Sequence, residues 1–129
     1  MNKELKEKVD KIKEGKNVGY VYLTPADGGM RQRYMLSVTP KNIANFIGKH
    51  FFDARQMVFT DIFDQLIVDT FGGFLNRCPN QNLCTEIQKY LIPIQTGEAE
   101  AEDFPLLTEE EMDEYERLLE EEAPGMEMS

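Results

Sequence analysis

The stretch from Arg55 to Ile94 constrains the fold more than any other, because the period of its apolar residues changes part-way along. Met57, Phe59 and Asp61 project to one side and Gln56, Val58 and Thr60 to the other, the two-residue alternation of a half-buried strand. Ile62-Phe63-Asp64-Gln65 interrupts as a tight turn, and Leu66 to Phe71 resumes with β-branched and aromatic residues, so the two runs form a hairpin. The returning run is nearly all apolar, which places it inside a sheet with both faces covered. Gly72-Gly73 then predicts a sharp turn into a short helical segment carrying Phe74, Leu75 and Cys78, stopped by Pro79. Asn80 or Asn82 caps a second helix, in which Leu83, Ile87, Leu91 and Ile94 recur as one stripe facing the sheet, with Pro93 near its end.

Upstream the same pattern is looser. Leu5, Val9 and Ile12 give a thin amphipathic helix over 2–14, closed by Gly15, with Lys11, Lys13 and Lys16 around its negative end. So short a helix is marginal alone and must dock on the body or on a second subunit, or fray. Val18 to Thr24, a turn at Pro25-Ala26-Asp27-Gly28-Gly29, and Met30 to Val38 make another hairpin. On its return strand Met30, Gln32, Tyr34, Leu36 and Val38 share one side and Arg31, Arg33, Met35 and Ser37 the other, which is partly wet. Thr39-Pro40 starts a helix with Ile43, Phe46 and Ile47 on its buried side, closed by Gly48. The pattern predicts an α+β fold: a small antiparallel sheet of about four strands, two hairpins, with helices packed on one face.

After Gly97 the charge changes sign. Residues 97–129 hold fourteen acidic residues against one basic, Arg117, a balance of −13, whereas residues 1–96 hold thirteen basic and ten acidic, or +3. Such a split is typical of an interaction tail. The run 97–107 has no apolar anchor at its start and reads as an acidic, solvated linker. Thr108-Glu109-Glu110-Glu111 has the spacing of a capping box, with Leu107 and Met112 as its hydrophobic staple, so an acidic amphipathic helix is predicted over 108–123. Met112, Tyr115, Leu118 and Leu119 line its apolar face; Ala123-Pro124-Gly125 ends it, and 124–129 reads as a disordered end. The chain thus divides into an α+β domain at 1–96, a linker and a terminal helix.

At 129 residues and 41% hydrophobic content, one domain can bury roughly 60 to 70% of its unfolded surface without a metal or disulfide staple. Cys78 and Cys84, with five residues between them, match neither a zinc knuckle nor a redox C-x-x-C and are expected to be buried thiols. No apolar run has membrane-spanning length, and the N-terminus alternates Lys with Glu where a leader would be apolar, so the expectation is a cytoplasmic protein without membrane contact.

Chemistry has few footholds. His50 with Asp53, Asp61, Asp64 and Asp69 is the one constellation that could gather carboxylates near an imidazole for a divalent metal, with His50, Asp61 and Asp64 as the candidate ligands. Against it, Asp61 and Asp64 are ordinary turn formers, Asp53 marks a strand entry, and no spacing matches a metal loop. Asp69 in an apolar strand needs a partner such as Arg55 or Arg77, and a structural ion pair accounts for it better than a catalytic acid. No cofactor is indicated, because both Gly-Gly pairs lack the spacing of a phosphate-cradling loop. Arg31, Arg33 and Tyr34 with nearby lysines could make a basic, stacking surface, but +3 over 96 residues is weak and thirteen tail charges would repel phosphate, so nucleic acid is disfavoured.

The expected function is a non-enzymatic protein-interaction or regulatory accessory module. Its partner is another protein or a second copy, a homodimer, and its binding residues are Met112, Tyr115, Leu118 and Leu119 of the acidic helix with Arg31, Arg33 and Tyr34 of the first hairpin. The plain alternative for the helix itself is a solubilising element whose apolar face completes the core of its own chain. A small metal-dependent enzyme built on His50 and the aspartates is the first alternative. The second is a weak nucleic-acid-binding domain with an autoinhibitory acidic tail.

Overall fold

The computed structural model describes residues 3–15 and 17–122. Lys16, the end of the terminal helix at 123–125 and the segment 124–129 therefore lie outside the described residues. The described chain runs α1 (Lys3–Glu14), β1 (Val18–Pro25), β2 (Gln32–Ser37), α2 (Pro40–Lys49), β3 (Ala54–Asp61), β4 (Leu66–Phe71), β5 (Phe74–Arg77), α3 (Gln81–Gln95), β6 (Leu106–Thr108) and α4 (Glu109–Glu122). It is an α+β fold with one antiparallel sheet of six strands in the order β5-β4-β3-β1-β2-β6.

Two strands beyond the expected four come from segments read as something else. Gly72 and Gly73 have φ of +62° and +84°, the pair of left-handed residues that a two-residue hairpin turn demands. The chain therefore folds straight back as β5, pairing Phe71 with Phe74 and Asp69 with Arg77, instead of entering a helix. This puts β4 inside the sheet, between β3 and β5, as its apolar run requires. At the other edge, β6 forms within and just after the segment expected to be a linker, pairing Leu106 with Leu36 and Thr108 with Tyr34.

The rest of that segment is not solvated leash either. It lies along α2, where Lys41, Asn45 and Lys49 stand one helical turn apart. Lys41 pairs with Glu102, the Glu102 amide donates to buried Asn45 Oδ1 at 2.9 Å, Lys49 pairs with Asp103, and Phe104 packs into the core. The Lys49 ammonium holds the Asp103 carboxyl below the usual carboxylate range. Partners more than fifty residues upstream are invisible to a local composition reading, which is why the stretch looked unanchored.

Helices cover both faces of the sheet, not one. Val21, Leu23, Leu36, Met57, Phe59 and Val68 point to α2 and α3 and form the main core with Ile43, Phe46, Ile47, Ile87 and Leu91. Thr39 caps α2 with Pro40 following, and Asn80, not Asn82, caps α3 by accepting from the Leu83 amide. The alternate residues Val18, Tyr20 and Met35 point the other way, under α1 and α4. There Leu5, Val9 and Ile12 of α1 meet Leu107, Met112, Tyr115 and Leu118 in a second core. The thin stripe of α1 thus docks within its own chain, and β6 carries the chain round the sheet edge from one face to the other.

Candidate partner-binding surface

Thr108 and Glu111 hold the start of α4 by exchanging hydrogen bonds: the Glu111 amide donates to Thr108 Oγ1 at 3.2 Å and the Thr108 amide donates to Glu111 Oε1 at 3.1 Å. Lys8 of α1 pairs with Glu111 at 2.7 Å. Burial works to raise the Glu111 carboxyl, but the hydrogen bonds from Lys8 and the Thr108 amide outweigh it and keep the group below its ordinary value. Glu109 accepts from the Arg33 amide at 2.9 Å. These contacts fix α4 against the sheet and α1, and between the three runs an open groove of about 320 Å³ whose lining includes Val9, Lys13, Tyr20, Arg33, Met112, Tyr115 and Leu119.

The seven residues expected to bind a partner are therefore only partly brought together. Met112, Tyr115, Leu119 and Arg33 line one groove. Leu118 packs into the second core beside it. Met112 is almost wholly buried, whereas Leu119 remains 43% exposed. Tyr34 belongs elsewhere: it faces the main core, its ring 5.5 Å from that of Phe46. The two-residue period that puts it with Leu36 turns it to the face opposite Arg31 and Arg33, although Tyr34 and Arg33 both border a second open pocket with Thr108, Glu109 and Glu110. Those arginines lie over other rings, Arg31 at 5.0 Å from the Tyr22 centroid and Arg33 at 5.2 Å from Tyr20, and Lys13 stands 5.6 Å from the Tyr115 ring. Tyr22 also donates to Asp64 at 3.0 Å; burial, then the Asp64 acceptor and its charge, raise the phenol above its usual pKa.

The outward side of α4 is predominantly acidic. Glu110, Asp113, Glu114, Glu116, Glu120 and Glu121 make no ion pair with any described residue, and Arg117 is the one basic residue on the helix.

The candidate metal ligands do not converge. His50 contacts Asp53 at 3.1 Å and stacks 4.5 Å from the Phe46 ring, at the start of β3. Asp61 is at the far end of that eight-residue strand, whose two ends lie about 23 Å apart at the usual rise of a strand. It accepts from the Phe63 and Gln65 amides at 2.8 and 3.0 Å, and Asp64 turns the chain with φ of +61°. Among the described residues no group of three or more His, Cys, Asp or Glu side chains is placed to hold a metal ion. Asp69 is buried and paired with Arg77, which reaches it through both Nε and Nη2 at 3.0 Å while the Arg77 amide donates at 2.9 Å.

Sequence reasoning missed an aromatic surface. Phe52, Phe71 and Phe74 are 92%, 59% and 61% exposed, and Phe51 links two of them, with ring centroids 5.1 Å from Phe52 and 5.7 Å from Phe74. The signal was available, since a Gly-Gly pair flanked by Phe71 and Phe74 is a hairpin motif that sets the two rings opposite each other. No helix of the described residues is long and apolar enough to cross a membrane. Comparison with protein-family models, curated proteins and solved structures finds no match to the chain.

Proposed function

We propose that the chain is a non-enzymatic protein-interaction module that presents the acidic outer face of α4, with Leu119 as its apolar anchor, to a basic surface on a partner protein. One observation carries this reading. The helix is pinned to its own domain through Met112, Tyr115, Leu118 and the Lys8–Glu111 pair, yet its outward carboxylates make no ion pair with a described residue and outnumber the one cation on the helix, Arg117. A surface of one sign on a fixed element accelerates and orients the approach of an opposite charge. A half-exposed leucine beside it supplies the desolvated contact that charge alone does not.

The test is charge reversal on the exposed positions Asp113→Lys and Glu120→Lys, made together and leaving the buried stripe intact. Affinity purification from the native host should lose a salt-sensitive partner with this variant while its melting temperature stays that of the wild type, and the isolated partner should bind wild type alone. Equal retention of the same proteins by both forms overturns the reading; a change of oligomeric state instead makes the partner a second copy.

A second reading is favoured by the stacked pairs Arg31–Tyr22 and Arg33–Tyr20, which resemble a platform for unpaired bases held in check by nearby α4 carboxylates. The same variant separates the two. Raised affinity for a fluorescent single-stranded oligonucleotide supports this reading, and no binding by either form removes it.

A further inference from the structure

Two thiols meet at the start of α3, Cys78 at the margin of the main core and Cys84 beside it. Cys78 ends the chain's run out of β5, and Cys84 lies in the first turn of α3, its amide donating to the carbonyl of the N-cap residue Asn80 at 3.0 Å. The same Asn80 carbonyl accepts from the Cys78 thiol at 3.5 Å. Both cysteines are only partly buried, and both line one open pocket of about 320 Å³ with Leu75, Asn76, Gln81 and Thr85. The bend at Pro79 and the first turn of α3 bring them to one site although five residues separate them. The expectation of two buried thiols does not hold, since both are only partly covered.

We propose that Cys78 and Cys84 form a thiol–disulfide exchange site, taking a small-molecule disulfide in the pocket beside them and closing an intramolecular Cys78–Cys84 bond. In the first step the Cys84 thiolate attacks one sulfur of the incoming disulfide. The Cys84–sulfur bond forms, the small molecule's own S–S bond breaks, and one thiolate leaves. In the second step Cys78 gives its proton to water and attacks Cys84 Sγ. The Cys78–Cys84 bond forms, the mixed disulfide breaks, and the second thiolate leaves. The protein loses two electrons and two protons, and the small disulfide is reduced to two thiols.

The order of the steps follows from the Cys78 thiol, which is engaged as a donor to the Asn80 carbonyl. Burial first, then the charge and hydrogen bonding of Cys84, push the Cys78 thiol up to about 11, so Cys78 stays protonated while Cys84 is free. Once Cys84 is tied into the mixed disulfide its share of that effect is gone, and Cys78 yields its proton more readily. The finished bond would join the end of β5 to the first turn of α3.

Full-length reduced protein is equilibrated with oxidised and reduced glutathione at graded ratios, quenched with an alkylating agent and read by intact mass and peptide mapping. The expected product is a monomer with neither cysteine alkylated and a crosslinked peptide containing Cys78 and Cys84. Cys78→Ser should stop at a mixed disulfide on Cys84, and Cys84→Ser should acquire glutathione at least about tenfold more slowly. The wild-type measurement stands if either variant fails to fold. Two free thiols throughout, glutathione retained on both cysteines, or disulfide-linked dimers would each overturn the proposal.

Discussion

Gly19 shows how a single position can be decided by a neighbour forty residues away. A Cβ there would stand 2.2 Å from the carbonyl oxygen of Thr60, backbone on the adjacent strand, which cannot rotate aside. Gly19→Ala should therefore destabilise the domain by about 1–3 kcal/mol, the range for overpacking a close-fitted site, measured by urea unfolding; a change within experimental error would mean the strands separate easily. Asp69 makes the complementary case. Its side chain is 1% exposed while that of Arg77 is 69% exposed, so the arginine forms a partly wet lid on a dry carboxylate. Arg77→Ala keeps the backbone hydrogen bond but strips the charge partner, and should cost about 1–3 kcal/mol by the same measurement. At this scale the anomaly of a carboxylate in an apolar strand was legible, as was its need for an arginine. The choice of Arg77 over Arg55 was not, because it depends on a register that only the β4–β5 hairpin creates.

The β6–α4 unit illustrates how an element joins two cores. Leu107 is fully buried, and Leu107→Ala should lower stability by about 2–5 kcal/mol as a core truncation does. An exposed-linker residue would cost almost nothing, so chemical unfolding separates the two descriptions. The junction also has a pH signature. Glu111 has a folded pKa below its unfolded value near 4.5, so its contribution is complete above that value and is lost as pH falls through the lower, folded one. Melting temperature followed from pH 6 to pH 3 should fall less steeply in Glu111→Gln than in wild type; superimposable slopes would show that the Lys8 and Thr108 contacts do not matter in solution. The starts of α2 and α3 could be read locally, since Thr39-Pro40 and Asn80 carry their capping chemistry within three residues. The β5 hairpin could have been, had Gly72-Gly73 been weighed as a turn between strands and not as an end.

For the molecule as a whole, the segment beyond Thr96 is part of the fold. Removing it takes away Leu107 and Met112, uncovers Leu5, Val9 and Ile12, and strips Asn45, Lys41 and Lys49 of their partners. At about 1.5–3 kcal/mol for each large apolar side chain exposed, truncation after Thr96 should cost several kcal/mol. It should lower the melting temperature sharply; an unchanged midpoint would return 97–122 to the status of an appendage. The aromatic surface is a separate matter. Phe52→Ser with Phe74→Ser should reduce retention on a hydrophobic matrix, since these rings face solvent, and cost about 0.5–1.5 kcal/mol for each edge-on contact with Phe51 that is lost. From local pattern alone came the α+β class, the two hairpins, the internal position of β4 and the sign reversal at Gly97, because periodicity, capping and charge are written within a few residues of where they act. Which face each helix covers, where the acidic run lies, and that Cys78 and Cys84 border one pocket were settled by the assembled sheet. Those outcomes depend on contacts between residues far apart in the chain, or on the direction of a turn, and no window along the chain contains both partners in their final geometry.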